Sequence, residues 1–205
     1  MNERKEVGRM ILADLQLFNQ AVVIFGEECE PEIWDHFSMA IQEWTHENGW
    51  SCVLNKDITG NWFSPPEWSH KGDKGCNDAN LGFVIDLDAS PSYFVADLCG
   101  IGSAPVGLWF WVTEKALGFE NKKAWKKSLQ MVAEKYATRL KPLGFVYDEL
   151  GFYLPLSLDP RKLADAWVDN SYEELFEPLV AALDKLKAST PIFNEMLAEM
   201  GANQR

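Results

Sequence analysis

From Met10 to Asn55 the chain contains no lysine and no arginine, although eight carboxylates fall in the same stretch. A segment without cations cannot neutralise phosphate, which excludes this part of the surface from binding nucleic-acid backbone or anionic lipid. Cysteine is sparse. The four residues Cys29, Cys52, Cys76 and Cys99 lie about 23 positions apart, without the close pair that structural zinc sites use. The three histidines, His36, His46 and His70, form no His-x-x-x-His pair either. Long apolar runs are also missing. The most apolar stretch, Met10 to Phe25, is interrupted by Asp14, Gln16, Asn19 and Gln20 and is too short to span a bilayer. With no secretory pattern ahead of them, the thiols are expected to be reduced in a cytoplasm. There is no internal repeat and no low-complexity tract. The glycines of Gly100-Ile101-Gly102-Ser103 lack the third glycine and the following helix of a dinucleotide-binding turn.

Aromatic residues and segregated charge are abundant. Nine Trp, twelve Phe and five Tyr sit in 205 residues of which 47% are hydrophobic, enough to fill one core and to fold as a single domain over 1–205. The formal net charge is −12, and it is unevenly spread. Residues 115–141 hold eight of the nineteen bases against two acids. Such lopsidedness bears on partners and solubility and leaves the fold open.

Spacing of the apolar residues predicts an α+β protein. Val7, Ile11, Leu15, Phe18 and Val22 mark a helix over 3–25. Pro31 opens a second over 31–48, whose face is Trp34, Phe37, Ile41 and Trp44 and whose stop is Asn48-Gly49. Residues 55–80 read as a loop, rich in Gly, Pro, Asp and Asn. Three period-two runs, Leu81–Asp88, Tyr93–Cys99 and Val106–Thr113, predict an antiparallel meander within 81–114. A basic helix over 121–141 has the apolar stripe Trp125, Leu129, Val132, Tyr136 and Leu140. A hairpin over 145–156 follows, then helices over 160–200, in which Asp159-Pro160, Ser171–Glu174 and Thr190-Pro191 each read as a helix start.

The best-supported function from these residues is that of a non-catalytic acidic interaction protein, of inhibitor or immunity type, that binds a basic surface of another macromolecule. Its partner-binding residues are expected to be Glu27, Glu28, Glu30, Glu32 and Asp35, with Trp62, Phe63 and Trp68 as aromatic anchors. The carboxylates around Pro31 also suit the positive end of a helix dipole. Lys122, Lys123, Lys126 and Lys127 form like-charged pairs one turn apart, each costing an isolated helix roughly 0.2–0.5 kcal/mol, and they are a candidate patch for phosphate or an acidic partner.

The element order of helix, three strands, helix and strand resembles that of restriction-type nucleases of the PD-(D/E)xK kind. That resemblance implies an alternative, a degenerate Mg²⁺-dependent site from Asp86, Asp88, Asp97 and Glu114. The chemistry needs an acid-x-Lys on one strand face. Here Glu114 and Lys115 are adjacent, so a strand would point them oppositely.

Overall fold

The computed structural model describes residues 3–55, 60–68, 81–86, 92–102, 106–112, 118–148 and 151–202. The architecture is α+β. In chain order the elements are α1 (Glu3–Ala13), α2 (Leu15–Ile24), a π turn (Phe25–Cys29), α3 (Glu30–Asn48), β1 (Ser51–Val53), β2 (Trp62–Ser64), a 3₁₀ turn (Pro66–Trp68), β3 (Leu81–Asp86), α4 (Phe94–Leu98), β4 (Gly107–Val112), α5 (Lys122–Leu140), β5 (Val146–Tyr147), β6 (Phe152–Pro155), α6 (Pro160–Asp169) and α7 (Glu177–Ala202). The strands form one antiparallel sheet in the order β1-β2-β3-β4-β6-β5.

Alternation along the strands separates two faces. Phe63, Phe83, Ile85, Leu108, Phe110, Phe152 and Leu154 point toward the helices and are buried. Their opposite neighbours include Trp62, Val84, Trp109 and Tyr153, which lie in register across β2, β3, β4 and β6. Trp109 stacks on Tyr153 with centroids 4.4 Å apart. A Cβ at Gly107 would come within 3.0 Å of the Tyr153 ring, so glycine is what admits that stack.

The centre of the core is aromatic. Phe193 of α7 is fully buried, stacks on Phe110 at 4.2 Å and meets Phe83, Phe145 and Phe152 edge-on. Two tryptophan N–H groups find side-chain acceptors on α7: Trp44 Nε1 donates to Asp184 Oδ1 at 2.9 Å, and Trp68 Nε1 to Asn194 Oδ1 at 2.6 Å. These bonds orient α3 and the 3₁₀ turn against α7 while leaving neither indole N–H unpaired.

Several elements differ from the sequence expectation. Tyr93–Cys99, read as the middle strand, forms α4. Phe94 meets the stacked Trp34 and Phe37 rings edge-on, at 5.1 and 5.4 Å, and an apolar run this short is compatible with either structure. The strands beside β3 are instead β2 and β4, so the stretch read as a loop contributes an inner strand. Thr190-Pro191 does not start a new helix: α7 runs through Pro191. The Ser189 and Thr190 hydroxyls turn back onto the Leu186 carbonyl at 2.7 and 3.1 Å, and burial of Phe193, Met196 and Met200 outweighs the lost backbone bond. The N-terminal helix breaks at Asp14, whose carboxylate accepts from Leu17 N–H. There α1 bends 92° away from Leu15–Asn48.

Candidate functional site

The acidic set straddles the junction of the π turn and α3. Its five members are put to two uses. Glu30 Oε1 accepts from the Val95 N–H at 3.4 Å, tying α3 to the first turn of α4. Glu32 Oε1 accepts from the Tyr172 hydroxyl at 2.8 Å, and the Tyr172 ring stacks on His36 at 4.0 Å. Burial, and then the bond to Glu32, push the Tyr172 pKa well above its ordinary value. The nearby Cys29 thiol is also raised, by burial first and then by Glu28 and Glu32, which keeps it protonated and weakly nucleophilic. Glu27, Glu28 and Asp35, in contrast, are exposed. No cation among the described residues lies within ion-pair distance of them.

Outward carboxylates continue along α3. Glu43 and Glu47 are exposed as well; one turn apart, they share an edge of α3 that lies roughly 80–120° around the helix from Asp35. They were visible in the sequence as members of the cation-free stretch; their shared edge emerges only once the buried face of Phe37, Ile41 and Trp44 is placed.

The lysine helix forms as expected, with Asn121 accepting from Ala124 N–H at its start and Leu129, Val132, Tyr136 and Leu140 buried. Lys123, Lys126 and Lys127 are exposed; the side chain of Lys122 lies outside the described residues. The ion pairs of this helix are at its other end, Lys135 with Glu199 and Arg139 with Glu195. Those bonds raise both cations' pKa values and lower those of both carboxylates. Among the described residues, the acidic set and the lysine patch therefore do not neutralise each other.

The aromatic trio is placed differently from expectation. Phe63 is fully buried and Trp68 is 5% exposed, both within the central cluster, and Trp62 is buried on the opposite face of the sheet. Their area is spent on folding, and they do not offer a surface to a partner.

The acids of the nuclease alternative do not assemble within what is described. Asp97 lies on α4, buried, against Gly102, where any Cβ would collide with its carboxylate; it closes the turn after α4. Asp86 ends β3 opposite Gly107, while Asp88 and Glu114 lie outside the described residues, as do Cys76 and His70. Among the described residues, no group of three or more His, Cys, Asp or Glu side chains could hold a metal ion. No protein-family model, curated protein or solved structure matches the chain.

Proposed function

We propose that the chain is a non-catalytic binding protein of inhibitor or immunity type, which engages a basic macromolecular surface through Glu27, Glu28 and Asp35, with Glu43 and Glu47 adding negative charge on the solvent side of α3. The observation carrying this reading is that these carboxylates are exposed and lie beyond ion-pair distance of every described cation. A negative edge of this kind accelerates encounter with a positive partner and rejects negative ones. The test is capture from the native cell with immobilised wild type, with Glu27→Lys/Glu28→Lys/Asp35→Lys, and with Lys123→Glu/Lys126→Glu as a control of opposite sign. A basic partner retained by wild type and the control but lost by the triple variant supports the reading; one retained equally by all three refutes it.

A second reading rests on exposed Lys123, Lys126 and Lys127, which fit phosphate. It requires nucleic-acid affinity that falls with salt, with a log–log slope of about −0.9 per phosphate neutralised, and that disappears in Lys123→Glu/Lys126→Glu.

A further inference from the structure

The first 22 described residues contribute nothing to the core. Neither α1 nor α2 contains a buried residue, and α2 has substantial contacts only with α1 and with the π turn that follows it. The arm meets the body at Phe25, whose ring contacts Tyr93 at 4.8 Å. Yet the arm is apolar. Val7, Met10, Leu12, Leu15, Leu17, Phe18, Val22, Val23 and Ile24 are all exposed, with Leu12, Leu15 and Leu17 more than half so. So many large apolar side chains exposed side by side exceed the singly scattered ones of an ordinary monomer surface and mark an interaction site. α2 is the free end of a helix continuous with α3, and a helix end that is apolar over most of its circumference exposes far more apolar surface than the amphipathic face of an ordinary surface helix.

We infer that this arm is a homodimerisation element, in which α2 packs antiparallel against α2 of a second copy. Two observations select a second copy over a lipid surface. Residues 15–26 carry no charge at all, so two like-charged chains can approach there without repulsion. Their polar positions, Gln16, Asn19 and Gln20, are the kind that pair with their own counterparts across a two-fold axis. An interfacial membrane helix would instead carry Lys or Arg along its polar edge, and at the base of α2 the chain places Glu27 and Glu28, which anionic headgroups repel.

Charge also selects the direction. The only Lys and Arg residues between residues 1 and 55 are Arg4, Lys5 and Arg9, all on α1, where they outnumber Glu3 and Glu6 and Arg9 is paired with Glu6. Antiparallel packing brings α1 of one copy beside the Glu27–Glu28 end of α2 in the other, whereas parallel packing sets acid against acid. This inference shares Glu27 and Glu28 with the function proposed above, while Asp35, Glu43 and Glu47 stay outside the arm and open to a partner.

Sedimentation equilibrium at about 100 µM, a weak-dimer range, tests it together with carbodiimide cross-linking. Wild type is expected at twice the chain mass of 23.3 kDa. Leu15→Gln/Leu17→Gln/Phe18→Gln is expected to be a folded monomer whose melting temperature, unlike that of wild type, no longer rises with protein concentration, since the three side chains touch no core. The dimer band alone should yield an amide between Lys5 and Glu27 or Glu28, which within one chain lie beyond zero-length reach across roughly 20 Å of bent helix. A monomeric wild type overturns the inference, as does a dimer that survives the triple variant. Monomeric wild type that floats with phosphatidylcholine–phosphatidylserine vesicles would overturn it in favour of a membrane surface. Running the same triple variant in the partner capture separates the proposals: a monomer that still retains a basic partner leaves acidic docking intact.

Discussion

The arm and the last turns of α7 are similar in composition and opposite in fate. Leu15–Ile24 is exposed throughout, while Phe193, Met196 and Met200 are completely buried. The difference lies in what each helix meets. α7 crosses the helix-facing side of the sheet, where Phe83, Phe110 and Phe152 leave a slot for Phe193; α2 extends α3 beyond the body and finds no facing surface among the described residues of its own chain. Apolar spacing thus reports that a helix has a face to bury, and topology decides whether the chain itself supplies the cover.

The largest effect that would sharpen the comparison belongs to the body. Phe193→Ala should cost ~3–5 kcal/mol, since a fully enclosed ring leaves a cavity between five other rings, and urea unfolding measures it. A cost below about 1 kcal/mol would mean that the slot is loosely packed. Next comes Asn194→Ala, which strands the buried Trp68 N–H and should cost ~1–3 kcal/mol. At the other extreme, Leu17→Ala in the arm should change the stability of the monomeric fold by less than about 0.5 kcal/mol. A cost comparable to that of Phe193→Ala would break the distinction between the regions.

A pH effect falls between these. The folded-state pKa of Tyr172 is raised by burial and by Glu32, so its contribution to stability is complete below the ordinary value of ~10 and is lost as pH rises through the folded value. Tyr172→Phe should therefore flatten the decline in urea midpoint between about pH 9 and pH 11. An equally steep decline would show that other groups govern the alkaline limb. Glu195 and Glu199 act with the opposite sign. Their lowered pKa values give stability that is present above the ordinary carboxylate range and lost as pH falls through the folded values, and because both pairs lie at the surface the effect is small.

Much of this organisation was legible in the residues, and the exceptions have physical causes. The stripe of α5 was readable because five apolar positions, Trp125 to Leu140, recur at helical spacing and Asn121 marks the start. α4 was not, because five residues are too few for period two and period 3.6 to be told apart. β2 was hidden by its length: three residues between Gly60 and Pro65 carry no alternation worth reading. Pro191 is a helix breaker by local rule, overridden by the slot that holds Phe193. For the candidate site, the acidic stretch was plain from the missing cations, but its partition was not. Glu30 and Glu32 are turned inward by Val95 and Tyr172, partners 65 and 140 residues away, which no local pattern encodes. Trp62, Phe63 and Trp68 resembled surface anchors for the same reason, since the strand and helix that cover them are remote in sequence.

The melting temperature of Glu27→Lys/Glu28→Lys/Asp35→Lys at low salt is the most direct measurement of whether those carboxylates are held out for a partner or used by the fold. Outward presentation predicts a value equal to wild type or slightly higher, since reversing three charges relieves the self-repulsion of a chain at −12. A fall of more than about 4 °C, beyond ~1 kcal/mol for a chain of this size, would show that these side chains hold the structure together and would contradict it.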